Sequence, residues 1–238
     1  MNISASYYSE TGGRIRNEDS VTILESNDTV LSIVADGLGG HVGGEIASKI
    51  ALNAINAHIA QCPVSRTALR EAIERANDVV LKDPDNSGMK TTVAALWFDN
   101  RNALAATVGD TRVYQIRNQK IVYQSVDHTA AQMAVYAGDI TPDEIRDSKD
   151  RHKLTRALGA QEEVKPDIAS LDIESGDAFL LCSDGFWEKV REKDMLLYLA
   201  QGDSAGDWLQ RMRDCVKRQE TASSDNHSAV AIIIRQGE

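Results

Sequence analysis

Acidic residues recur where the apolar runs of this sequence stop. Asp36 follows LSIVA, Asp110 follows LAATVG, and Asp184 follows FLLCS and precedes Gly185. Asp225 precedes Asn226 and the run SAVAIIIR, and Glu18 and Asp19 stand immediately before SVTIL. A single Asp-Gly after a strand is more often a turn than a ligand. Recurrence changes the expectation: if these ends meet along one edge of a pair of sheets, several carboxylates converge. Like charges that close cannot all stay ionised without a cation among them. All-oxygen ligands, with no Cys or His cluster at ligand spacing, select hard ions such as Mg²⁺ or Mn²⁺ over zinc. Two such ions side by side would activate a water and clamp a phosphoryl group during transfer.

Other chemistries are disfavoured residue by residue. The glycine-rich DGLGGHVGGE has Glu45 where a Walker motif continues from Gly44 to Lys, and Val42 where G-x-G-x-x-G needs its third glycine. None of Cys62, Cys182 and Cys215 has an arginine six residues on; Ala68, Glu188 and Thr221 occupy those places, so a thiolate phosphatase is excluded. His41, His58, His128, His152 and His227 read as solvated or backbone-satisfied, and none is taken as a ligand.

The elements that must position the acids follow from periodicity. GGEIASKIALNAINAHIAQ and TALREAIERANDVVL carry apolar stripes at helical spacing and read as two core-facing helices. TTVAALWF, ALAATVG, RVYQI and KIVYQ, separated by short polar turns, read as one antiparallel meander. A polar, mobile insertion follows, then strands DIASLDI and AFLLCS, helices EKDMLLYLA and AGDWLQRMRDCVKRQ, and a last strand SAVAIIIR. Strands, helix pair, strands, helix pair and strand fit an α+β fold with antiparallel sheets inside and helices outside.

With 238 residues and 42% hydrophobic content, the chain is expected to form a single domain over residues 1–238. A net charge of −10 argues against nucleic acid and anionic membrane as partners. The longest apolar run, AVAIII, is far below the roughly 20 residues of a membrane helix, and MNISASYYSETGG has no basic-then-apolar leader. Three unpaired-looking cysteines fit a reducing compartment, so a cytoplasmic monomer is expected.

RIRNED, VADGLGGHVGGE, KTTVAAL, VGDTRVY, DHT, AGDITPDE, LTRALG, CSDG and SDNHSAV occur in that order between Arg14 and Val230. The series resembles the motifs of bacterial PP2C-type (PPM) metal-dependent serine/threonine protein phosphatases, whose stand-alone members include a group associated with type VI secretion. The resemblance implies an αββα sandwich of two antiparallel sheets flanked by helix pairs, with two tight Mn²⁺ or Mg²⁺ ions and a weaker third. It implies that Asp19, Asp36, Asp184 and Asp225 bind metal directly or through bound water, with the Gly37 carbonyl beside them and Glu18 supporting through water. Arg14 would grip the substrate phosphate, Asp110 would share the third ion with Asp184, and residues 127–156 would form a flap bordering the site. The implied substrate is a phosphoserine or phosphothreonine protein, the target of an opposing kinase. The sequence departs from the pattern at Leu38, where eukaryotic relatives carry a histidine proposed as general acid, and His41 is not its equivalent. All the main acids are present, which disfavours a pseudophosphatase that binds without turnover.

Overall fold

A computed structural model describes residues 2–26, 29–39, 43–84, 88–100 and 102–235, so His41 and Val42 lie outside the described residues. The chain begins with β1 (Asn2–Glu10), β2 (Asp19–Glu25) and β3 (Thr29–Leu38), followed by helices α1 (Gly43–Ile59) and α2 (Arg66–Leu81). Strands β4 (Lys90–Thr91), β5 (Val93–Asp99), β6 (Ala103–Val108), β7 (Arg112–Arg117) and β8 (Lys120–Gln124) come next. After α3 (Ala130–Ala137) and a 3₁₀ turn at Pro142–Asp147 come β9 (Asp167–Leu171) and β10 (Ala178–Cys182). The short α4 (Asp184–Trp187), α5 (Glu192–Gln201), α6 (Ala205–Arg218) and β11 (His227–Arg235) complete the order.

Two antiparallel sheets result. One runs β1-β11-β10-β7-β8; the other runs β2-β3-β5-β6-β9, with β4 added to β3. Their inner faces meet through Val34, Leu96, Phe98 and Ala105 from one sheet and Val113, Phe179, Leu181, Val230 and Ile232 from the other. On the outside, α1 and α2 bury Ile55, Leu69 and Ile73 against Ile33, Ala95 and Trp97. On the opposite side Phe186, Trp187, Trp208 and Met212 cover Tyr114, Leu180 and Ala231. The layers are therefore helix, sheet, sheet, helix, as the motif resemblance implies. Both helical stripes are real: the buried positions of α1 and α2 recur every three or four residues, and Ser65 caps α2 by accepting from the Ala68 N–H.

The expected four-strand meander is corrected. β5 pairs with β6 and β7 with β8, but β6 and β7 belong to different sheets. The crossing happens at Gly109, whose φ of +102° favours glycine and whose α-carbon faces Thr92, so that an added Cβ would lie 2.5 Å from the Thr92 methyl. That crossing leaves Asp110 between the sheets. β1, which the sequence reading did not assign, pairs along its whole length with β11, from Asn2 opposite Arg235 to Glu10 opposite His227.

The insertion after β8 is tied down at several points. Asp127 accepts two hydrogen bonds from Arg112, Arg146 donates to both oxygens of Glu192, Arg151 pairs with Glu188, and Thr129 bridges Leu154. Among the described residues no helix is long and apolar enough to cross a membrane.

Candidate metal centre

The β2–β3 register sets the geometry. Asp19 stands directly opposite Asp36, so the two acids share one face of the sheet at its end. Like charges in that position destabilise a sheet unless something positive lies between them. From the other sheet come Asp184, at the start of α4 just after β10, and Asp225, two residues before β11. Asp110 enters from the crossing between β6 and β7. The cleft at this common edge has a volume of about 940 Å³ and is lined by Arg14, Glu18, Asp36, Gly37, Asp110, Asp184 and Asp225. Asp19 lies behind it, 8% exposed, where the Ser183 hydroxyl donates to its Oδ2 at 2.9 Å. All eight residues singled out from the sequence thus gather at one site.

Local chemistry explains why each backbone sits there. The Asp36 N–H donates to Thr92 Oγ1 and the Asp36 carbonyl accepts from Thr91 Oγ1 and the Thr92 N–H, so KTT is the clamp on Asp36. Gly37 has no room for a side chain: a Cβ would lie 2.0 Å from the Gly44 carbonyl oxygen, while the Gly37 N–H donates to the Glu18 carbonyl. Gly44 is equally crowded, by Glu18 Oε2. The His128 N–H donates to the Gly109 carbonyl and its Nδ1 accepts from the Gly109 N–H, bracing the turn before Asp110. The Asp110 carbonyl in turn accepts from the Trp187 indole N–H at 2.9 Å.

Electrostatics point the same way. Burial, reinforced by the surrounding carboxylates, holds Asp36 and Asp110 well above the usual carboxylate range. Burial also pushes Asp19 up to about 7, with Asp184 and Asp225 adding to it and the hydroxyls of Ser228 and Ser183 opposing. Glu18 is raised by burial and by Asp225. Among the described residues, Asp19 Oδ1 and Asp184 Oδ1 are buried and have no hydrogen-bond partner. Carboxylate oxygens in that state call for a cation, and an all-oxygen set suits Mg²⁺ or Mn²⁺. The residues present fit the ions.

Arg14 and Arg16 flank the mouth. Arg14 Nη2 donates to Asp225 Oδ2 at 2.9 Å, and its side chain is half exposed; Arg16 lies 3.9 Å from Glu45. Ile15 between them is fully exposed, and Leu38 also lines the cleft.

Two residues were missed. His152, from the flap, lines the cleft with Nδ1 3.2 Å from Asp184 Oδ2 and Nε2 3.4 Å from Glu188 Oε1; the bond to Asp184 outweighs desolvation and raises its pKa. Its neighbours in sequence, RHKL, carry no signal of this, because the flap fold alone brings it in. Asn226 is buried and stitches three segments: Nδ2 donates to the Thr11 and Arg16 carbonyls, and Oδ1 accepts from the Glu18 N–H. The Asp-Asn pair before a strand was its only visible trace.

Comparison with known proteins agrees with this geometry. The model of the protein phosphatase 2C family matches residues 9–228. Serine/threonine phosphatase stp of Listeria monocytogenes is 32% identical over 196 residues, covering 77% of this chain and 78% of that protein. The structure of the S. agalactiae serine/threonine phosphatase superposes with a TM-score of 0.88 at 25% identity, covering 98% of this chain and 100% of that one. The catalytic domain of serine/threonine protein phosphatase PstP, crystallised with two manganese ions, gives 0.83 at 29% identity over 98% and 99% of the two chains. From the sandwich, the acids at its edge and these matches, it follows that the chain belongs to the protein phosphatase 2C family.

Proposed function

We propose that the acidic cleft hydrolyses phosphoserine and phosphothreonine in protein substrates, with Mn²⁺ or Mg²⁺ held by Asp19, Asp36, the Gly37 carbonyl, Asp184 and Asp225, directly or through water. The observation that carries the proposal is the cross-strand pair Asp19–Asp36 facing Asp184, with carboxylate oxygens buried and, among the described residues, unpartnered. Bound there, two hard ions would supply an acidified water as nucleophile and offset charge on the phosphoryl oxygens, and a weaker third ion would sit at Asp110 and Asp184. Arg14, half exposed at the mouth, is placed to exchange Asp225 for a phosphate oxygen and to hold it with parallel N–H donors. Glu18 supports the site through water, and residues 127–156 border the cleft through His152 and Leu154.

The substrate is read as the target of an opposing serine/threonine kinase, and the chain as a single-domain cytoplasmic monomer with its three cysteines free. The narrower link to type VI secretion comes from the motif resemblance and from nothing at the site. The test is hydrolysis of p-nitrophenyl phosphate and of a phosphothreonine peptide with Mn²⁺ and with chelator. Turnover that survives exhaustive chelation would sink the proposal.

A further inference from the structure

Trp187 occupies a position that the phosphatase chemistry does not by itself require. It is 1% exposed, three residues after Asp184, and its indole N–H is spent on the Asp110 carbonyl. Two guanidinium groups bear on its ring, Arg112 at 3.6 Å from the centroid and Arg146 at 5.5 Å. Both lead into the flap. Arg112 is held by Asp127 at the flap's start through a bidentate pair at 2.8 and 2.7 Å, and Arg146 lies within the flap itself. Glu192 joins them on the far side: it accepts from Arg146 and from the Tyr114 hydroxyl, which itself accepts from Arg112. A buried network of charge-assisted bonds and cation–π contacts is stiff, because each member has few other partners.

We propose that Trp187 and Arg146 are positioning residues that couple the flap to Asp110, so that the seating of Arg146 on the Trp187 ring fixes where the Asp110 carboxylate stands. The consequence for turnover rests on the role given to Asp110 above; the coupling itself does not. When the flap is seated, Arg146 and Arg112 hold the indole in the orientation that donates to the Asp110 carbonyl. When Arg146 lifts, the ring loses a neighbour and Asp110 gains freedom in the turn after Gly109. Substrate that presses on the flap would thereby be sensed at the acidic centre.

The test is a double-mutant cycle with Trp187→Phe, which keeps a ring under Arg112 but removes the N–H, and Arg146→Met, which keeps the stem but removes the charge. Each single variant is expected to lower kcat about fivefold on a phosphopeptide at saturating Mn²⁺, the scale of one hydrogen bond, with KM little changed. The double variant is expected to be no slower than Trp187→Phe alone, since both changes break one linkage. In metal-free ¹⁵N-labelled protein, Arg146→Met should move the Trp187 indole resonance and leave those of Trp97 and Trp208 in place. Multiplying effects in the cycle or an unmoved Trp187 resonance would each overturn the coupling, whereas normal kcat in a folded Trp187→Phe beside a moved resonance would remove the role given to Asp110 instead. Because the resonance is read without metal, it reports on the coupling even if Asp110 binds no ion and even if Trp187→Phe fails to fold.

Discussion

Removing a charge from the acidic centre should stabilise the metal-free protein while destroying its use for metal, and Asp19 is where the size of that effect can be worked out. Its carboxyl is pushed up to about 7 in the fold by burial, against about 4 in an unfolded chain. At pH 8 it is ionised in both states, and a difference of roughly three in pKa means that ionised Asp19 costs the fold about 4 kcal/mol. At pH 5 the folded protein keeps the proton while the unfolded chain has mostly lost it, and the cost is about 1.5 kcal/mol. The wild-type protein in chelator therefore loses stability as pH rises from about 4 through 7. Asp19→Asn has no such charge, and its amide oxygen can still accept from Ser183. Urea unfolding followed by circular dichroism in EDTA should show the variant more stable by about 4 kcal/mol at pH 8 and about 1.5 kcal/mol at pH 5. The difference between the two pH values is the sharper quantity, because any change in packing is common to both. Adding Mn²⁺ should raise wild-type stability strongly and that of the variant weakly. A gain equal at both pH values, or a loss that grows with pH, would refute the electrostatic reasoning.

Asp36→Asn and Asp184→Asn should each remove most hydrolysis at limiting Mn²⁺ while circular dichroism stays native; near-normal rates would take those residues off the metal. Arg14→Ala should raise KM for a phosphopeptide, and lower kcat as well if its bonds tighten as charge develops; unchanged kinetics would turn attention to Arg16. Asp110→Asn should keep two tight Mn²⁺ binding events by calorimetry, lose a weak one, and lower kcat about tenfold or more; a lower melting temperature with normal kcat and titration would make it a turn residue only. Far from the cleft, burial would raise the Asp177 pKa, but donors from Arg117, the Glu174 N–H and Gln115 outweigh it and hold it below the usual range. Its contribution is thus present above pH about 4 and lost as pH falls through the folded value. Asp177→Asn should cost about 3 kcal/mol at pH 7, with the gap to wild type narrowing in denaturant melts at pH 3.

The acids were legible because each ends an apolar run, and a strand end is a local event that the sequence displays. The helical stripes of α1 and α2 were legible for the same reason. What could not be read was decided at a distance. β6 and β7 look like neighbours in a meander, and only the close approach of Gly109 to Thr92 shows that the chain changes sheets there. Strand β1, rich in serine and tyrosine, becomes a strand because β11 pairs with it. Asn226 acts on carbonyls 215 and 210 residues away, at Thr11 and Arg16, and no window of sequence contains both ends. His152 reaches Asp184 across a flap whose own residues are mostly polar. Leu38, in place of a histidine, was visible as a departure, whereas its companion His152 in the same cleft was not.

The pairing of β1 with β11 has a consequence for how the protein comes into being. β11 lies between β1 and β10, so one sheet cannot close until residues near 235 have been made. Asp225 and Arg14, which meet across 211 positions, are likewise brought together only at that moment. During synthesis β1 must wait for a partner translated much later, and a chain halted just before residue 225 carries Glu18, Asp19, Asp36, Asp110 and Asp184 without the complete sheet that assembles them. Such a fragment has an exposed strand edge and no competent centre, so phosphatase activity switches on only after translation has passed the last strand.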